Sequence, residues 1–385
     1  MKFLIYQWKD YLHNDLYDIC KHYGIAYDFF EWNFENKNVD EAFMNWFPTN
    51  VSLKGYSALV SINYFPLLAE VAHEAGVKYI AWCYDNPLNV RQIEDTLGYP
   101  TNYVFLFDKV QYSNYKNKGF DTVYHMPLGV NSRRLSRLQI TDADYEKYHA
   151  EVAFVGNFYP SKIQELLALM TDYTKGYISA LMDIQSKIYG YYVIDELFTD
   201  DLMQDIQTHI LSLNPDTQLR VSKEALSFAC ASEITRKDRL ILLSLLSSRY
   251  QTKLYSYEQN DLLKNVEHMG SLDYTRQMPK AFRCAKINLN PSLRIIQSGI
   301  PLRAFDIMGA GGFLLSNWQS ELAELYVDGE DMVMYNSYED AVAKADFYLK
   351  HEELRQQITA SGCAKTLQEH SLDAVFGRIC EVAGV

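Results

Sequence analysis

The chain has 385 residues, 48% apolar and 22% charged, with a net charge of −13 at pH 7. That length calls for about two domains, and the acidic balance excludes nucleic acid or an anionic membrane surface as the main partner. No apolar run reaches the roughly 18 residues of a membrane span. The opening MKFLIYQWKD has a short apolar run before Gln7 and then charges, which predicts a first strand rather than a secretion signal. A cytoplasmic protein is the expectation. The cysteines are far apart, form no C-x-x-C pair and read as reduced thiols. The many tyrosines read as interior packing.

In chain order, KFLIYQ (2–7) predicts a strand, and residues 12–23 a helix closed by Gly24. YSALVSIN (56–63) is nearly all apolar, as in a parallel strand covered on both faces. PLLAEVAHEAG (66–76) predicts a helix with Pro at its start and Gly at its stop. Strands follow at 77–84, 103–108 and 122–129. Such β-α-β repetition predicts a doubly wound parallel sheet. The acidic segment 141–151 marks a domain boundary, giving an N-terminal Rossmann-like domain over 1–145. A second domain over 146–368 opens on the strand EVAFVGN (151–157) and contains a helical insertion at about 160–248, broken at Asn214-Pro215. Strands are then predicted at 252–257, 285–291, 311–317 and 331–335. Helices are predicted at 274–283, 300–309, 320–326, 338–350 and 352–369, with a helical tail over 369–385.

Ligands of open α/β sheets gather at the carboxyl ends of strands. In the first domain these ends are Gln7 to His13, Asn63-Tyr64, Asp85-Asn86-Pro87, Asp108-Lys109 and Pro127 to Asn131. In the second they are Gly156-Asn157, Asn288 to Arg294 and Ser316-Asn317. Asp85 and His13 are the candidate acid–base groups; the competing readings are a helix-capping Asp and a packed core His. Asp108 carries the same ambiguity. In QSGIPLRAFDIMGAGGFLLSN (297–317), Ser298 or Gly299 would cap a helix opening at Pro301, whose free amides and dipole favour an anion. Arg303 and Asp306 share a face of that helix; they either serve a nucleotide or pair with each other. The glycines at 309, 311 and 312 follow a helix and precede a strand, the reverse of a dinucleotide fingerprint, and predict a helix end and tight turn. Asp142-Ala-Asp144 reads as helix capping rather than a metal motif, and nothing has zinc spacing.

Residues 266–326, together with PLGVN (127–131), VAFVGN (152–157), AWCYDNP (81–87) and EHSLDAVFGRI (369–379), resemble glycosyltransferases of the GT-B fold. The similarity is to the spore-maturation CgeB-like group, with its glycosyl transferase family 1-like donor domain. The resemblance implies two Rossmann-like doubly wound α/β domains facing a cleft. It also implies a metal-independent transferase using a nucleoside-diphosphate sugar, UDP-linked, as co-substrate, with no other cofactor. By that resemblance Asp306 stands where a ribose-binding Glu usually lies, Ser298-Gly299 in the diphosphate loop, and Arg303 and Arg294 beside the phosphates. Gly156, Asn157 and Asn290 would line the site. Retaining members carry an acidic residue eight positions before the ribose-binding one; here Ser298 stands there, which leaves the stereochemistry open. The implied acceptor is a protein or cell-surface glycan, such as a spore component. The competing readings are a sugar-nucleotide epimerase of the same fold and a non-catalytic binding or assembly protein.

Overall fold

The computed structural model describes residues 1–8, 12–88, 90 and 92–385. By their contacts they group into two compact units: Met1–Arg137 with Gly299–Phe305 and Lys365–Val385, and Leu138–Ser298 with Asp306–Ala364. Of the strand-end stretch 7–13, residues 9–11 lie outside the described residues.

The first unit is built on β1 (Lys2–Gln7), β2 (Ala26–Glu31), β3 (Ala58–Ile62), β4 (Lys78–Trp82), β5 (Asn102–Leu106) and β6 (Val123–His125). They form one parallel sheet in the order β2-β1-β3-β4-β5-β6. All five residues of β3 are buried, which is why its sequence is apolar but for Ser61 and shows no alternation. The helix Pro66–Glu74 begins on its proline and is stopped by Gly76, whose φ of +63° lies in the left-handed region. The C-terminal helix Leu372–Ala383 packs Phe376 edge-on to Phe3 at 6.2 Å and beside Trp82 at 6.4 Å. Lys78 closes that helix by donating to the carbonyls of Ala383 and Gly384 at 2.6 and 2.9 Å, a cation set against the negative end of the dipole.

The second unit is built on β7 (Ala150–Val155), β8 (Thr252–Tyr255), β9 (Glu267–His268), β10 (Ala285–Asn290), β11 (Leu314–Asn317) and β12 (Val333–Tyr335). These are parallel in the order β9-β8-β7-β10-β11-β12. The segment expected to be a helical insertion is helical from Ile163 to the 25-residue helix Lys223–Ser247. It carries an apolar cluster of its own around Ile178, Tyr192, Phe198 and Cys230. The helix Asp200–Leu213 ends at Asn214, at the expected break.

Several elements escape the sequence reading, among them β2, the two-residue β9 and the helices Lys109–Asn117 and Glu41–Asn50. β2 keeps only Phe30 buried, so its residues show neither a continuous apolar run nor a clean alternation. The helix Glu41–Asn50 carries Pro48 and faces the core mainly through Phe43 and Phe47. The glycine turn is where it was expected: Gly311 has φ +78°, and a Cβ on Gly312 would meet the Phe282 carbonyl at 2.7 Å. The strand after it starts at Leu314, later than the sequence predicts, because these residues make the turn.

Candidate ligand sites at the strand ends

In the first unit the strand order reverses between β1 and β3, the place where a doubly wound sheet opens a crevice. Trp8 spans it, its indole N–H donating to the Ile62 carbonyl at 3.0 Å. The next residue, Asn63, adopts φ +67°, a conformation that Asn tolerates better than most side chains. Its side-chain oxygen accepts the amides of Tyr84 and Asp85 at 2.8 and 3.0 Å, and its Nδ2 donates to the Asp85 carboxylate at 2.8 Å. Asp85 is thereby held half-buried in the loop that follows β4. His13 is buried, with Nε2 3.0 Å from the Tyr6 carbonyl. A carbonyl only accepts, so Nε2 carries the proton and anchors the ring to β1.

Asp108, at 1% exposure, resolves its ambiguity in favour of capping. Its Oδ1 accepts the amides of Val110 and Gln111 at the start of the helix Lys109–Asn117. Its other oxygen accepts the Gly299 amide at 3.2 Å. The Gly299 amide expected to face a diphosphate thus faces a carboxylate. The helix expected at Pro301 begins at Leu302, with Arg303 half-buried in its first turn.

In the second unit the order reverses between β7 and β10. Gly156 and Asn157 are half-buried at the end of β7. Asn290, at the end of β10, is buried and donates to Ser316 Oγ at 3.0 Å, while Ser316 returns a bond to the Asn290 carbonyl. Ser292 continues the network, its amide donating to Asn317 at 2.7 Å and its hydroxyl to Gln319 at 3.2 Å. Ser298 donates to the buried carboxylate of Glu321 at 2.8 Å, and the Glu321 amide donates back to the Ser298 carbonyl. Asp306, 8% exposed, accepts the Tyr274 hydroxyl at 3.0 Å.

Arg294 stands in the interior rather than at a free surface. Its Nε donates to Asp238 at 2.6 Å, its other nitrogens reach the Ile188 and Ser186 carbonyls, and its Cζ lies 3.7 Å from the centre of the Tyr189 ring. Burial lowers its pKa, but the Asp238 carboxylate outweighs that effect and raises it. The sequence reading missed Arg239, the next residue to this pair on the long helix Lys223–Ser247. Arg239 donates to the Pro291 carbonyl at 3.2 and 2.8 Å and also to the Asn157 carbonyl. It missed Asn63, Glu321 and Tyr274 as partners as well. Only Asn63 carried a signal, its place at a strand end. Asp144 completes a capping box with Thr141 and pairs with Lys280, whose ammonium holds its carboxyl down at about 2. Among the described residues no three His, Cys, Asp or Glu side chains gather as for a metal, and no helix is long and apolar enough to cross a membrane.

Two six-stranded parallel sheets with helices around them, each with its polar groups at the carboxyl strand ends, make this a two-domain α/β protein of the GT-B fold. The glycosyl transferase-like family model matches residues 220–381, which include β8 to β12, Ser298, Asp306 and Arg239. Solved structures of similar fold include a sucrose-phosphate synthase from Thermosynechococcus elongatus, with TM-score 0.59 and 9% identity, covering 99% of this chain and 98% of that one. The Anabaena HepE protein, in complex with UDP and glucose, gives TM-score 0.54 at 10% identity, covering 100% and 99%. WaaG, a glycosyltransferase involved in lipopolysaccharide biosynthesis, gives TM-score 0.55 at 10% identity, covering 100% of both chains. No curated protein matches the chain in sequence.

Proposed function

We propose that the chain is a glycosyltransferase that moves a sugar from a UDP-linked donor to a protein or cell-surface glycan. The observation that carries this reading is the family-model match over 220–381, which falls on the polar strand ends of the second unit. The UDP and glucose held by HepE, a protein of the same fold, support the donor class, and the role of WaaG in lipopolysaccharide synthesis supports a glycan acceptor. In this reading Asp306, steadied by Tyr274, accepts the ribose hydroxyls. Arg303 lies beside the phosphates, and Asp85, oriented by Asn63, is the base that activates the acceptor hydroxyl. In this reading transfer proceeds without a metal, as in the CgeB-like group, and the chain works in the cytoplasm.

A hydrogen bond to a charged acceptor contributes roughly 1.5–3 kcal/mol, so Asp306→Ala weakens nucleotide binding by about 10- to 100-fold. Calorimetric titration with UDP and other nucleoside diphosphates measures this. Asp85→Asn keeps nucleotide affinity and loses transfer. Donor turnover with and without cell-wall or protein extract separates transfer from epimerisation, which needs no acceptor. The bond between the Gly299 amide and the Asp108 carboxylate favours a second reading, a fold-retaining assembly protein without turnover. A chain that binds no nucleotide, with Asp306→Ala changing nothing, leaves only that second reading.

A further inference from the structure

We infer that Arg239 is a positioning residue of the donor site, clamping the two strand ends that meet at the switch point of the second sheet; this rests on the glycosyltransferase reading. The side chain is 7% exposed and arises from the long helix Lys223–Ser247, in a stretch that gives no motif. β7 and β10 are neighbours, with Phe154 opposite Leu289, so the chain leaves the sheet at Asn157 and Pro291 from adjacent positions. One guanidinium donates to both of those carbonyls. Its Cζ also lies over the rings of Phe154 and Tyr159, 5.2 and 4.6 Å from their centres. Tyr159 itself holds φ +56°, an unfavourable conformation that its surroundings must maintain.

The same helix face continues the clamp. Thr235, Asp238 and Arg239 are spaced i, i+3, i+4 and so project together. Thr235 Oγ1 accepts the Arg294 amide at 3.0 Å, and Asp238 holds the Arg294 guanidinium at 2.6 Å. Three side chains of one helix therefore fix residues 157–159 and 291–294, the two loops that flank the switch point. Only arginine has a planar fork of donors able to bond two carbonyls on separate strand ends; an ammonium is a single point. Donor binding depends on this placement because loops that must be ordered as the ligand binds subtract from its affinity, whereas loops already held do not.

The test uses the full chain with Arg239→Lys and Arg239→Ala. Hydrogen exchange at 157–159 and 292–294 is expected to quicken together in Arg239→Lys, while exchange in the first unit stays as in the parent. Donor KM is expected to rise about 10-fold, with kcat within about 3-fold, because loops and not reacting groups have moved. Methylguanidinium is expected to restore part of the donor affinity of Arg239→Ala. Unchanged exchange at either loop in Arg239→Lys overturns the clamp. Quickened exchange with an unaltered donor KM overturns its role in the donor site. A parent protein that binds no nucleotide defeats the transferase reading, and the exchange measurement still decides the clamp.

Discussion

Gly299→Ala probes the contact between Gly299 and the Phe107-Asp108 turn that follows β5, both in the first unit. The backbone of Gly299 is not in the left-handed region, so any cost comes from space alone. A Cβ there would lie 2.8 Å from the Asp108 Cα, 2.8 Å from Phe107 Cδ2 and 2.9 Å from the Asp108 Cβ. Carbon atoms in contact sit about 3.5–4.0 Å apart, so the two segments must separate by more than half an ångström. Two of the three obstacles belong to Asp108, which the amides of Val110 and Gln111 hold in place, and cannot swing aside. Overpacking of this kind costs about 1–3 kcal/mol. The same movement stretches the 3.2 Å bond from the Gly299 amide to Asp108, a charged acceptor, which adds up to about 1.5–3 kcal/mol. Partial relaxation brings the expected total to roughly 2–4 kcal/mol. Urea denaturation followed by circular dichroism reads it against Gly98→Ala, where the new methyl would meet Phe120 at an ordinary 3.6 Å. The control is expected to be neutral or slightly stabilising, as Gly→Ala is where the conformation allows it. Equal stability of the two variants would refute the close approach.

Asp238→Asn leaves the Arg294 guanidinium buried without its carboxylate and also disturbs the Tyr338 hydroxyl that donates to Asp238. The expected loss is about 3 kcal/mol, the low end for a broken buried pair, because the Ile188 and Ser186 carbonyls still hold the cation. A denaturation midpoint within error of the parent would contradict it. His370 is 5% exposed, and burial, with Arg378 and Lys365 adding to it, lowers its pKa from 6.5 to about 4. Between those values the unfolded chain takes up a proton that the folded one refuses. Stability is therefore intact above pH 6.5, falls as the pH drops, and the loss reaches at most about 3 kcal/mol below pH 4. Denaturation of His370→Gln across this range is expected to lack that component; a slope identical to the parent's would count against it.

Strands were legible where burial on both faces leaves a nearly continuous apolar run, as in β3 and β4. Local devices were legible for the same kind of reason. The capping by Asp144 is complete within four residues, and the turn at Gly311 needs only the chain's own geometry. β2 was not legible, since an edge strand with one buried residue has little apolar pattern to show. Among the candidate residues, sequence placed Asp85 and Asn290 at strand ends and Asp306 within a helix, but said nothing of what would hold them.

The sequence by itself determined two doubly wound α/β units and the helical stretch set into the second, because those follow from hydrophobic periodicity and turn chemistry over short windows. What the polar groups bond to was decided only by tertiary structure. The Gly299 amide meets a carboxylate 191 residues away, and Arg239 reaches carbonyls 52 and 82 residues away. Arg294 finds its counter-ion 56 residues back on a neighbouring helix. A buried donor or charge must be satisfied by whatever the fold brings beside it, and no local pattern encodes a partner that distant. An arginine read as a phosphate ligand therefore proved to be an interior cation, while the one that bridges the strand ends lay unmarked inside a helix.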